Sequence, residues 1–258
     1  MHRLRPLRSF TAFSLAVLGA RAEIIGMDTF DLPDGPAHGK VSGAFWDYHQ
    51  TSGHKGESAP WCALSGDPLF RGGRLVTPAT SKAMRTFAFA PLSGRKPGYW
   101  HNKPGQVYDG IVPVRGSIFL SARVQTTHPD TGVGVHFYDW TTERIYIGTL
   151  RGEGQPRQWG VELGKSDGNS PKEGEMGAFP SGLALEPGKP VHVICEVNWP
   201  QKILRLWLDP APGARATPTF TRPYSGRNWI TACALSSFGQ GEASWDELAV
   251  TTLWEDLP

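Results

Sequence analysis

Val191-His192-Val193-Ile194-Cys195-Glu196-Val197-Asn198 and Ile203-Leu204-Arg205-Leu206-Trp207-Leu208-Asp209 are joined by Trp199-Pro200-Gln201-Lys202. Both runs alternate apolar and polar side chains at period two, the mark of strands with one face in a core and one in water. The four-residue break between them reads as a hairpin. The closing stretch Ser244-Trp245-Asp246-Glu247-Leu248-Ala249-Val250 repeats the alternation, as does Ser117-Ile118-Phe119-Leu120-Ser121-Ala122-Arg123-Val124-Gln125. In the latter, positions 118, 120, 122 and 124 share one face and 121, 123 and 125 the other.

Working outward, the same signs predict strands at 24–30, 45–48, 74–78, 85–89, 116–126, 132–139, 144–150, 159–163, 191–199, 203–209, 229–236 and 245–252. The 31 Gly and 22 Pro fall between these runs as punctuation rather than in one tract. Helical periodicity is nearly absent, apart from a short turn expected over Thr80 to Met84. Residues 164–177 read as an exposed loop. Many short strands without a βαβ rhythm predict an all-β fold: a two-sheet antiparallel β-sandwich, or jelly roll, with the N- and C-terminal strands adjacent. Residues 25–30 are expected to pair antiparallel with 248–253.

Residues 1–22 read as a signal peptide: a basic head with Arg3, Arg5 and Arg8, an apolar run from Phe10 to Gly19, and the small-x-small site Ala20-Arg21-Ala22. The expected destination is secreted or periplasmic, with 23–258 as a single domain. Losing the leader takes four of the 26 Lys and Arg and leaves 22 against 24 acidic groups, about −2. That balance offers no basic stripe for nucleic acid. No run approaches the roughly 20 apolar residues of a spanning helix, so no membrane anchor is expected. Oligomeric state has no sequence signal.

Cysteines 62, 195 and 233 are an odd number. At most one disulfide can form within the chain. Cys195 and Cys233 both lie in predicted strands and could meet across the sandwich as that disulfide; buried thiols are the alternative.

Certain short pieces resemble the concanavalin A-like lectin/glucanase superfamily, in particular the laminin-G-like jelly rolls of exported bacterial proteins. They are Asp28-Thr29-Phe30-Asp31 with Pro33-Asp34-Gly35, Gly72-Gly73-Arg74-Leu75, Leu206-Trp207-Leu208-Asp209-Pro210 and Trp245 to Val250. The resemblance implies the sandwich and transfers no activity. Superfamily members that cleave β-glucans carry Glu-x-Asp-x-x-Glu on one strand face, and no Glu here has an Asp two residues later. It also leaves calcium open as a cofactor, since laminin-G-like domains often hold it, but no loop here aligns well enough to name ligands.

Glycan recognition needs aromatic planes for the C–H faces of sugars beside hydrogen-bonding groups. Tyr99, Trp100, His101, Asn102 and Tyr108 offer both between strands, and Trp140 adds a further aromatic. These are the candidate ligand-binding residues; loop side chains packing over the core end are the bland alternative. Trp199, Trp207, Trp229, Trp245 and Trp254 lie in or beside strands and read as packing. Glycosidases need two carboxylates facing each other. Glu242 and Asp246 could share a face, Asp246 and Glu247 should oppose, and Asp139 is a third carboxylate to consider. His49, His54 and Asp47 lack a helical platform for a metal. The leading expectation is a non-catalytic exported module binding carbohydrate or another extracellular polymer. A glycoside hydrolase or polysaccharide lyase with other carboxylate placement, and a surface protein without small ligand, are the alternatives.

Overall fold

The computed structural model describes residues 24–43, 60–86, 116–139, 142–150, 157–164, 176–211, 213–226, 230 and 232–258. In chain order its strands are β1 (Ile24–Asp28), β2 (Gly35–Pro36), β3 (Cys62–Ser65), β4 (Leu69–Phe70), β5 (Leu75–Pro78), β6 (Ser81–Thr86), β7 (Ser117–Thr126) and β8 (Thr131–Asp139). They continue with β9 (Thr142–Leu150), β10 (Gln158–Leu163), β11 (Gly177–Ala184), β12 (Val191–Asn198), β13 (Ile203–Leu208), β14 (Phe220–Pro223), β15 (Ala232–Gly239) and β16 (Glu242–Thr251). Two antiparallel sheets form a sandwich of jelly-roll type. The nine-stranded one runs β14-β13-β12-β7-β16-β5-β4-β2, with β1 also on β16; the seven-stranded one runs β11-β10-β9-β8-β15-β6-β3. The terminal strands pair as the pattern predicted, Met27 opposite Ala249 and Asp28 opposite Leu248.

Alternation fills the space between the sheets. Ile118, Leu120, Ala122 and Val124 of β7 and Val191, Val193, Cys195 and Val197 of β12 point inward from one side. Val133, Val135 and Phe137 of β8, Ile145 and Ile147 of β9 and Cys233 and Leu235 of β15 meet them from the other. Trp199, Trp207 and Trp245 are buried and Trp254 is half-buried, in keeping with packing roles; Trp229 lies outside the described residues.

One ion pair ties the two sheets together. Arg85 of β6 donates to Asp28 of β1 at 2.5 Å with both side chains fully buried. Asp28 also accepts from Ser42 Oγ (2.5 Å), Trp61 Nε1 (2.9 Å) and the Phe30 amide (2.8 Å). Burial pulls the Arg85 guanidinium down to about 10, against the opposing charge of Asp28, and the bonds that Asp28 accepts are what a buried carboxylate requires.

Several sequence expectations change or gain detail. The helical turn over Thr80 to Met84 is instead the start of β6, because pairing with β15 and β3 overrides the helix-forming Lys82, Ala83 and Met84. A strand, β11, begins at the end of the expected loop. Asp246 and Glu247 do not oppose: the register of β16 on β7 slips between Asp246 and Ala249, and Glu247 sits at φ 50°. This bulge turns both carboxylates outward and moves the inward positions from 243 and 245 to 248 and 250.

Cys195 and Cys233 face the core from opposite sheets and are free thiols, not a disulfide. Burial pushes the Cys233 thiol up to about 12 and Cys195 higher still. The alternative of two buried, unreactive thiols is the one the structure holds.

Candidate functional site

The outer face of the seven-stranded sheet carries a polar cluster. Inward Val135 and Phe137 leave His136 and Tyr138 of β8 facing away from the core, and β15 and β6 present Ser236 and Lys82 beside them. The register of β8 on β9 slips at Tyr138, which then stands opposite Glu143. A single carboxylate oxygen, Glu143 Oε2, accepts from Lys82 Nζ (2.8 Å), His136 Nδ1 (2.8 Å) and Tyr138 Oη (3.1 Å). Lys82 Nζ also donates to Tyr138 Oη at 3.0 Å. On the other side of the imidazole, Nε2 is 2.6 Å from Ser236 Oγ.

Glycines shape the floor. Gly134 and Gly148 pair across β8 and β9, and the Tyr146 ring comes close to both: a Cβ at Gly134 would come within 2.0 Å of that ring. Tyr146 Oη is 2.8 Å from the Val133 carbonyl and 3.0 Å from that of Thr149, and its ring centroid is 5.0 Å from that of His136. The imidazole is therefore wedged between a ring, a hydroxyl and a carboxylate.

The proton positions follow from the charges. Burial alone would raise the Glu143 carboxyl, but hydrogen bonds and charge from His136 and Lys82 outweigh it and hold the group at about 2. An ionised carboxylate can only accept, so Nδ1 carries the proton and neutral His136 accepts from the Ser236 hydroxyl at Nε2. Burial keeps His136 below its ordinary value, partly offset by Glu143. Burial would likewise lower Lys82, yet Glu143 and Tyr138 hold its ammonium above the usual value. At neutral pH the cluster is an ion pair beside a neutral imidazole.

The nine-stranded sheet has a second serine–histidine pair on its outer face. Ser121 Oγ of β7 is 2.7 Å from His192 Nε2 of β12. No carboxylate among the described residues bonds to the other ring nitrogen. Burial lowers His192 too, helped by the Arg123 charge.

The carboxylates singled out from sequence are not brought together. Glu242 and Asp246 do share the outer face of β16, with about 13 Å of extended backbone between them. Each is also engaged by an arginine, Glu242 with Arg71 and Asp246 with Arg74 at 3.7 Å. Burial raises the Asp246 carboxyl. The Asp139 backbone ends β8 in the opposite sheet, paired with Thr142. Tyr99, Trp100, His101, Asn102, Tyr108 and Trp140 lie outside the described residues, as do Asp47, His49 and His54. Among the described residues, no three His, Cys, Asp or Glu stand where they could hold a metal ion.

His136, Glu143, Ser236 and Lys82 were not candidates from sequence. Alternation in Val133-Gly134-Val135-His136-Phe137-Tyr138 does put His136 and Tyr138 on the face away from the core, and that signal could have found His136 and its neighbour Tyr138.

No protein-family model matches this chain, and no curated protein matches it. Solved structures do resemble it. One is a sialidase, at 11% identity and a TM-score of 0.46 over 76% of this chain, which spans only 17% of that protein. Another is the CBM2 module of the evolved Dit of Lactobacillus casei BL23 phage J-1, at 12% identity and TM-score 0.49, covering 90% of this chain and 96% of that one. A third is a glycosyl hydrolases (GH) family protein 16 from Mycobacterium smegmatis, at 15% identity and TM-score 0.48, covering 88% and 100%. With TM-scores below 0.5 and identities this low, what those proteins do stays with those proteins.

Proposed function

We propose that the chain is an exported module that binds a carbohydrate polymer over the outer face of the seven-stranded sheet, at the end marked by Lys82, Glu143 and Tyr138. One observation carries the reading. Thr86, Ala232 and Tyr138 stand side by side in register, and the sequence holding Tyr99, Trp100 and Tyr108 follows Thr86 while Trp140 follows Asp139. Thr86 and Asp139, the described residues after which those aromatic stretches follow in sequence, lie at the strand end where an ammonium, a carboxylate and a phenol are gathered. Sugar recognition calls for that combination of aromatic planes and directed polar groups. Lys82 and Glu143 keep 23% and 37% of their side chains exposed, enough to meet a ligand's hydroxyls. Export by the leader at residues 1–22 and a laminin-G-like kinship belong to the same reading.

Affinity electrophoresis of the mature chain through gels cast with a panel of polysaccharides tests it. At least one polymer should retard the chain, and Lys82→Ser and Trp100→Ala should each weaken that retardation by about tenfold, the loss of one good polar or stacking contact. Retardation by none, or retardation indifferent to both substitutions, would sink the proposal.

A further inference from the structure

We propose that Ser236, His136 and Glu143 form a nucleophile relay that hydrolyses small O-acyl esters, acetyl esters first among them. The inference goes beyond polymer binding and stands whether or not the polymer is a carbohydrate.

Its basis is geometric. The hydroxyl-to-base distance is 2.6 Å and the base-to-carboxylate distance 2.8 Å, both within the roughly 2.6–3.2 Å that an activated serine needs. The three side chains stand on β15, β8 and β9, three strands joined edge to edge, so their spacing is set by sheet hydrogen bonds rather than by a loop. The tautomer is the required one: Nδ1 donates to Glu143 and Nε2 is left to take the Ser236 proton. Lys82 and Tyr138 bond to the same Glu143 oxygen and fix it in place. Ser236 and His136 are only 3% and 4% exposed, which excludes bulky acyl groups from Oγ.

The reaction balances without a cofactor. Ser236 Oγ bonds to the acyl carbon as its proton passes to His136 Nε2. The bond from that carbon to the alkoxide oxygen breaks, and the alkoxide leaves as an alcohol with the Nε2 proton. Water then adds to the acyl carbon of acyl-Ser236 and loses a proton to Nε2. The Oγ–carbon bond breaks and Oγ recovers the proton. One ester and one water give one alcohol and one carboxylic acid. Ser236 and His136 touch the reacting atoms, whereas Glu143 is a positioning residue.

The full chain is treated with a fluorophosphonate probe and, separately, with p-nitrophenyl acetate. One probe per chain should attach, mapped to Ser236 by peptide mass spectrometry, a result that needs no variant to fold. Turnover of the acetate should fall by about 100-fold or more in Ser236→Ala and His136→Gln and stay unchanged in Ser121→Ala. His136 is faced by Glu143 and Tyr146 of β9, Lys82 of β6, Ser236 of β15 and Tyr138 of its own strand. Removing the Glu143 charge in Glu143→Gln should move the acid limb of the kcat/KM profile to lower pH, a shift that a merely structural role would not produce. No labelling of the folded chain, labelling of another serine, or acetate turnover in Ser236→Ala equal to that of the parent would overturn the relay.

Discussion

Each sheet sets a serine hydroxyl against a histidine Nε2 on its outer face, yet the two surroundings differ. On the seven-stranded sheet, His136 has a carboxylate on its second nitrogen and an aromatic ring beneath it. On the nine-stranded sheet, His192 has neither among the described residues, and the face around it is built from other materials. Trp254, in the turn after β16, packs its ring on Trp207 (4.9 Å) and Phe119 (6.1 Å), and Arg215 reaches Glu255 across the same cover. Exposed ion pairs, Arg71 with Glu242 and Arg123 with Glu247, line its other part. The difference teaches that a serine–histidine contact is cheap in a sheet; the third group and the burial give it chemistry.

The largest expected effect lies in that difference. His136→Ala leaves the Ser236 hydroxyl and one Glu143 interaction unmet inside a buried network, and should cost about 3 kcal/mol. His192→Ala removes one half-exposed hydrogen bond and should cost about 1 kcal/mol. Urea midpoints at constant m-value read both. Equal losses at the two histidines would erase the contrast.

A smaller effect tests the aromatic cover. Trp254→Ala strips two ring contacts from the outer face of the nine-stranded sheet and should cost about 2 kcal/mol. Because Trp254 shares no partner with His136, the double variant should lose the sum of the single losses within about 0.5 kcal/mol. A larger departure from additivity would mean that the two faces are coupled through the core.

The contrast also explains what the sequence could and could not tell. Strands β7, β12, β13 and β16 were legible because each sets an apolar inward face against an outer face that mixes polar and apolar groups, so alternation records the architecture. β11 was not, since it is an edge strand exposed along most of its length. The bulge at Glu247 was also invisible, because a single residue at positive φ leaves no periodic trace. The relay was illegible for a topological reason. Ser236 stands 100 residues from His136, and they meet only because β15 inserts between β8 and β6, which are not consecutive in the chain. Residue types alone favoured Glu242 and Asp246, whose arginine partners Arg71 and Arg74 both come from the turn between β4 and β5. No local pattern reveals those pairings.

The smallest effect is a shift in titration, and it separates the two histidines most sharply. Burial lowers both below the ordinary 6.5, so between 6.5 and the folded values the unfolded chain binds more protons. Stability therefore falls as pH drops below about 6.5. Glu143, held at about 2 instead of 4.5, adds a second loss as pH falls from 4.5 towards 2. Glu143→Gln abolishes the second window. It also removes the charge that holds His136 up against burial and the neighbouring Lys82, so the His136 titration should move lower while that of His192, whose charged neighbours are Arg123, Glu247 and Asp209, stays where it was. Ring-proton NMR titration of the parent and the variant resolves the two directly. If both histidines moved together, or if His136 rose, the carboxylate would not be the group that distinguishes the two pairs, and the asymmetry between the faces would need a different cause.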